Sequence, residues 1–190
     1  MPLHILGLNH KSAPVEVRER ISYEGEALNK VLAELCAQDG ISEAVVVSTC
    51  NRSEFYCQAD HADKLQQWLA SQNIAGIDPQ QHFYHHQGEA AITHLFRVAS
   101  GLDSLVLGEP QILGQLKSAY QTAKDQDSSD SQLNKLFEQS FSVAKLVRSE
   151  TAIGANPISV AYAAVRLAQQ IFGSLENSKA LLIGAGETIE

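Results

Sequence analysis

Cysteine is scarce in this chain: three in 190 residues, at Cys36, Cys50 and Cys57. An odd number at those spacings makes neither a disulfide framework nor a zinc-type ligand set, which points to a reducing compartment, in expectation the cytoplasm. No metal site is expected. Long apolar runs are missing too. None nears the roughly 20 residues that a membrane-spanning helix takes, and residues 1–11 show no basic stretch ahead of an apolar one. Net positive charge is absent: 14 Lys and Arg against 22 Asp and Glu leave a formal charge of -8. That is the wrong sign for binding nucleic acid through the overall field, so any RNA contact has to use a local basic face. Internal repeats and low-complexity tracts are also lacking. What remains, 44% hydrophobic and 19% charged, is the composition of an ordinary folded protein without a membrane anchor.

One stretch concentrates chemistry. Ser48-Thr49-Cys50-Asn51-Arg52-Ser53-Glu54 follows the β-branched run Ala44-Val45-Val46-Val47 and precedes Phe55, Tyr56 and Cys57. Both flanks read as strands, so a thiol, an amide, a guanidinium and hydroxyls crowd the turn between them. Thiolates attack carbonyls, and Arg52 supplies a cation two residues away. The plainer reading of Cys50 is a small buried hydrophobe, which is what most cysteines are.

Taken in order, residues 3–8 read as a first strand, 24–38 as an amphipathic helix on Leu28, Val31, Leu32 and Leu35, and 43–49 and 54–58 as strands. A helix on Ala62, Leu65, Trp68 and Leu69 and a short strand at 82–86 follow. The β-α-β-β-α-β order predicts an α+β fold, a ferredoxin-like sheet with two helices on one face. In such a sheet the first two strands run the same way with the third between them. Asn9, His10 and Lys11 then lie beside the Thr49–Ser53 turn, about forty residues away in sequence.

From residue 88 the pattern turns helical. Ile92, Leu95, Phe96 and Ala99 form a stripe, with His94 on the opposite side, where spacing alone reads as solvent exposure. A loop over 102–109 carries Ser104 and Glu109, and Pro110 opens a helix to about residue 123. Glu109 also has a plain reading, a carboxylate near a helix amino terminus. Residues 125–131, acidic and serine-rich, read as a loop with freedom to move. Residues 131–150 form a strong helix decorated by Lys135, Lys145 and Arg148, which read either as phosphate contacts or, more simply, as a solvated face. Pro157 starts another helix that Gly173 closes. Lys179-Ala180-Leu181-Leu182-Ile183 then reads as a strand running into Gly184-Ala185-Gly186-Glu187-Thr188, a GxG opening of a dinucleotide-binding unit. Ile189 stands where that fingerprint prefers Gly or Ala, and residues 178–190 are expected to be poorly ordered or packed non-natively.

Four motifs together resemble the glutamyl-tRNA reductase family: Gly7-Leu8-Asn9-His10-Lys11-Ser12-Ala13-Pro14, the Ser48–Glu54 stretch, residues 100–115 with Gly108-Glu109-Pro110-Gln111, and the Gly184 to Ile189 turn. The resemblance implies a ferredoxin-like catalytic core over 1–87 and a helical part of the catalytic domain over 88–152. It further implies a linking helix over 153–177 and the truncated Rossmann start of an NADPH-binding domain over 178–190. It implies Cys50 as a nucleophile that takes glutamate off its tRNA as a thioester, which NADPH reduces to glutamate-1-semialdehyde at the entry of tetrapyrrole synthesis. It makes His94 important for activity and puts Thr49, Asn51, Arg52, Ser104, Glu109, Pro110, Gln111 and Gln115 at substrate-contacting positions. Arg52 suits the substrate carboxylate, and Glu109 suits the substrate ammonium by charge. Gly184, Ala185, Gly186, Glu187, Thr188 and Ile189 become cofactor residues. The implied partners are glutamyl-tRNA, a second subunit of the full-length homodimer and glutamate-1-semialdehyde aminomutase. The chain by itself is expected to form the thioester without reducing it.

Overall fold

The run Val45-Val46-Val47 lies in strand β2 (Ile41–Ser48), which turns back through Thr49-Cys50-Asn51 into β3 (Arg52–Ala59). In the computed structural model, which describes residues 1–72, 77–154, 160–176 and 178–181, β1 (Leu3–Asn9) pairs with the other side of β3, and β4 (Tyr84–Gln87) with β1. The order is β2-β3-β1-β4, every neighbouring pair antiparallel. Strands β1 and β2 therefore run the same way with β3 between them, and Asn9 pairs with Arg52.

Both faces of this sheet are covered, which is why β2 reads as a nearly continuous apolar run. Successive side chains point to opposite faces. Ile5, Val45, Val47 and Tyr56 meet Leu95, Leu116 and Phe137 from α5 (Glu89–Ala99), α6 (Gln111–Asp125) and α7 (Ser131–Glu150). Leu6, Leu8, Val46 and Phe55 meet Leu32, Leu35 and Trp68 from α2 (Gly25–Cys36) and α3 (Ala62–Ser71). The helical segment after residue 88 thus shares a core with the sheet. Shorter helices α1 (Val15–Arg18) and α4 (Pro79–His82) were not legible in the pattern, because one turn carries no periodicity. Helix α8 (Val160–Phe172) carries exposed Leu167, Ile171 and Phe172. No helix among the described residues is long and apolar enough to cross a membrane.

One expectation is corrected here. The serine-rich segment after α6 is anchored at Ser128, which is buried. Its carbonyl accepts from the Ala44 amide at 2.7 Å and its hydroxyl donates to the Ala44 carbonyl at 3.0 Å. Glu43 beside it, also buried, accepts from the amides of Asp130, Gln132 and Leu133 at 2.9, 3.3 and 2.8 Å. A carboxylate on otherwise unpaired amides at a helix amino terminus is a favourable capping arrangement. It fixes α7 to the edge strand β2.

Gly7 of β1 faces Glu54 of β3 across the sheet. A Cβ built there would lie 2.7 Å from Glu54 Cγ and 3.1 Å from the Ser53 carbonyl oxygen. Gly7→Ala is expected to destabilise the protein by about 1–3 kcal/mol, the usual range for overpacking. Urea unfolding followed by circular dichroism measures it, and a midpoint equal to wild type would show that Glu54 gives way freely.

Candidate active site

The turn between β2 and β3 is stapled by Thr49. Its amide donates to the Arg52 carbonyl at 2.8 Å, and its hydroxyl accepts from the amides of Asn51 and Arg52 at 3.2 and 3.1 Å. Local side-chain bonding of this kind is what threonine offers a turn. Arg18 straps the outside, Nε donating to the Cys50 carbonyl at 3.2 Å and Nη1 to the Ala13 carbonyl at 2.8 Å. Cys50 sits at the tip and is exposed, whereas Cys36 is half-buried and Cys57 buried. Burial pushes the thiols of Cys36 and Cys57 up.

The end of β1 meets this turn, as the strand directions require. The His10 amide donates to the Asn51 carbonyl at 3.0 Å. Asn9 folds the chain behind it, its Oδ1 accepting from the Lys11 amide at 2.9 Å. The Nδ1 of His10 is buried without a partner, and burial, then Lys11 and Arg52, lower its pKa. The loop after α5 supplies the third wall. Asp103 pairs with Lys11 Nζ, and its Oδ2 accepts from Asn9 Nδ2 and Arg52 Nη2, both at 3.4 Å.

Beneath this lip lies a buried carboxylate. Arg52, Glu54 and Tyr56 alternate along β3 and so share one face. Glu54 accepts from Arg52 Nη1 at 2.8 Å, Tyr56 OH at 2.5 Å, His94 Nε2 at 2.7 Å and the Tyr84 hydroxyl. Burial raises its pKa, but Arg52, His94 and Tyr56 outweigh that and hold it down at about 2. Burial and the Glu54 charge push the Tyr56 and Tyr84 phenols up, so both remain donors. For Arg52, burial favours the neutral form, but Glu54 and its neighbours more than compensate and keep it charged.

Arg52 was expected as an open fork for a substrate carboxylate and as a cation near Cys50. It is 1% exposed, with Nη1 on Glu54 and Nη2 also on the Asp103 carbonyl at 2.5 Å. His94, read by spacing as solvent-exposed, is instead 11% exposed in its side chain and bound to Glu54. The buried positions of α5 are Ala91, Leu95, Val98 and Ala99, with Ile92 38% exposed. The buried face runs through Ala91 rather than Ile92, which brings His94 to its border.

Ser104 Oγ is buried without a partner, and Glu109, at the end of the same loop, is also buried. Gln111 and Gln115 line a groove of about 520 Å³ with Tyr23, Gly114 and Ser48, so they reach the Cys50 hairpin from its other side. Pro110 is exposed at the start of α6. Arg148, weighed as a phosphate contact, donates to the Gly108 carbonyl at 3.0 Å and so straps the loop. Gly184, Ala185, Gly186, Glu187, Thr188 and Ile189 lie outside the described residues. Sequence reasoning gave Glu54, Tyr84 and Asp103 no role. The signal for Glu54 was present: an Arg-x-Glu pair on a strand buried on both faces has to pair internally.

Glu54→Gln is expected to lower stability by about 3–5 kcal/mol, because it strands the Arg52 charge in the interior. Since the folded pKa is depressed, the stability from ionised Glu54 is fully present above pH 4.5 and is lost as pH falls towards about 2. Urea midpoints across acid pH measure both. A wild type and variant that lose stability in parallel below pH 4.5 would contradict this.

The sequence and the fold both match known proteins. The family model described as "Glutamyl-tRNAGlu reductase, N-terminal domain" matches residues 6–151. Glutamyl-tRNA reductase of Stenotrophomonas maltophilia is 57% identical over 190 residues, all of this chain and 44% of the relative. That of Idiomarina loihiensis is 54% identical over 192 residues, again all of this chain and 45% of the relative. The solved glutamyl-tRNA reductase of Methanopyrus kandleri superposes with a TM-score of 0.69 at 34% identity, covering 97% of this chain and 44% of that one. The chain thus spans less than half the length of the relatives it matches. It belongs to the glutamyl-tRNA reductase family, to which residues 6–151 contribute the amino-terminal domain.

Proposed function

We propose that this chain carries the acyl-transfer half of the glutamyl-tRNA reductase reaction, with Cys50 as nucleophile. The observation that carries the reading is the placement of Cys50. It alone of the three cysteines is exposed, on a stapled hairpin tip at the sheet edge where Asn9, Lys11, Arg52 and Asp103 converge. The thiolate sulfur attacks the ester carbonyl joining glutamate to the tRNA 3′ end. The carbon–oxygen bond to the ribose then breaks, the ribose oxygen takes a proton and the tRNA leaves, with glutamate held on Cys50 as a thioester. Thr49 and Asn51 set the attack geometry by fixing the turn. Arg52 and its neighbours take the glutamyl side-chain carboxylate, and Glu109 the ammonium. Ser104 and Pro110 lie on the loop side, and Gln111 and Gln115 line the groove beside Ser48. His94 acts through Glu54, fixing Arg52, rather than on the thiol.

Reduction of the thioester to glutamate-1-semialdehyde takes a hydride, which the family reading assigns to NADPH. The residues expected to hold it, Gly184 to Ile189, lie outside the described residues. Because residues 1–190 span only 44% of a relative such as that of Stenotrophomonas maltophilia, they are expected on this reading to discharge glutamyl-tRNA without yielding semialdehyde. The strand order, with α2 and α3 on one face, supports describing the sheet as ferredoxin-like. In the same reading the protein works in the cytoplasm on glutamyl-tRNA, as a homodimer when full length, passing its product to glutamate-1-semialdehyde aminomutase.

Cys50→Ser is expected to slow discharge of glutamyl-tRNA roughly a thousandfold or more, because an unactivated hydroxyl is a far weaker nucleophile. Single-turnover assays on acid gels measure it, with mass spectrometry of the glutamyl adduct. Discharge by the serine variant at the wild-type rate would end the proposal.

A further inference from the structure

We infer that Asp103 is a built-in occupant of the carboxylate subsite: its side chain holds the cradle of Asn9, Lys11 and Arg52 shut in the free protein, and the substrate's carboxylate binds by displacing it. This rests on the reading that the cradle takes the glutamyl side chain.

Three observations converge. The cradle is already filled by a carboxylate, with Asp103 Oδ1 on Lys11 Nζ and Oδ2 on Asn9 Nδ2 and Arg52 Nη2 at 3.4 Å each. These are the donors that would meet a ligand carboxylate. Second, the charges balance without a ligand: Lys11 and Arg52 offset Glu54 and Asp103. A further carboxylate beside them leaves an excess anion in a poorly solvated place, whereas exchange for Asp103 keeps the balance. Of the two acids only Asp103 can leave, since its side chain is 13% exposed and that of Glu54 0%. Burial alone would raise the Asp103 pKa, but Lys11 and Arg52 lower it, so it competes as an anion.

Third, the loop is built to release it. The Gly108 amide donates to the Gly101 carbonyl at 2.9 Å, and both glycines have positive φ, 75° and 79°. A Cβ on Gly101 would lie 3.1 Å from Gly108 Cα, and one on Gly108 2.8 Å from Ile153 Cγ1. The loop's ends are thus clamped while Leu105 and Leu107 between them are 57% and 59% exposed; the bond from Arg52 Nη2 to the Asp103 carbonyl, at 2.5 Å, is the one further contact with the cradle that the swing must break. Ser104 Oγ, next to Asp103, is buried without a partner. An orphan hydroxyl is a cost of the shut arrangement that a swung loop removes.

The test is calorimetric titration in a Cys50→Ser background, which prevents acyl transfer. The probes are L-glutamate α-methyl ester and its neutral isostere, L-glutamine α-methyl ester. Asp103→Asn is expected to tighten the glutamate ester by roughly 5- to 20-fold, the gain from removing a competing closed state, and the glutamine ester by less than about twofold. Adding Lys11→Gln should abolish the gain. An unchanged or weakened glutamate ester, an equal gain for both esters, or no binding of the glutamate ester to Asp103→Asn overturns the inference. So does a gain that disappears in about 0.5 M salt, where screening acts beyond roughly 4 Å and only a long-range field is lost. A second measurement needs no Asp103 variant: saturating glutamate ester should speed hydrogen exchange at amides 102–107 with Asp103 in place, and slower exchange there counts against the latch. The two readings fail separately. If Cys50→Ser discharges tRNA normally, the chemistry falls while the binding difference stands. If Cys50 is essential and the esters show no difference, only the latch falls.

Discussion

A carboxylate with no exposed surface has to be met on every side, and the architecture around Glu54 follows from that requirement. Leaving an ion of this kind unpaired in the interior costs several kcal/mol. Here it is met by donors from three elements: Arg52 and Tyr56 of β3, Tyr84 of β4 and His94 of α5. Each donor constrains the placement of its own element. The edge strand cannot slide and α5 cannot rotate without exposing the charge. Gly7 is part of the same constraint, because no side chain fits between β1 and the Glu54 stem.

This constraint divides the site into a frame and a lip. In the frame the Glu54 carboxylate is fully buried and met by four donors. At the lip stand Cys50, exposed, and Lys11, whose side chain is 57% exposed. Arg52 spans the two, with Nη1 on the buried Glu54 and Nη2 on Asp103 of the loop. A guanidinium suits that position because its planar donors can serve two acceptors at once and it stays charged when desolvated. A lysine there would offer one point charge, and either the frame or the lip would lose its partner.

Much of the frame was legible in the sequence, because it is written in periodicity. The 131–150 pattern corresponds to α7 (Ser131–Glu150), and the β-branched run after Glu43 to β2. The convergence of Asn9, His10 and Lys11 on the Cys50 turn followed from strand direction alone. What stayed hidden was of another kind. Ile92 looked like a core residue by hydrophobicity, yet smaller Ala91 faces the sheet, so His94 was turned outward on paper. Residues 125–131 looked free because polarity was the only local signal, and the Ser128 and Glu43 bonds that anchor them come from β2, more than eighty residues away. Arg52 was read from its chemical fitness for an anion, without asking which anions the fold had already given it.

A cation in a reactive loop invites assignment to the substrate, because its neighbours in sequence are few and known. In the folded protein the competing anions come from residues 2 and 51 positions away, Glu54 and Asp103. Glu54 has no exposed surface and no freedom to leave, so it fixes where Arg52 points; Asp103 is partly exposed on a loop, so its side chain is the one that exchange, as inferred above, would release. The distinction between a structural and a functional partner of one guanidinium therefore reduces to burial and tether. Both are properties of the partners rather than of the arginine, which is why no reading of Arg52 alone could have separated them.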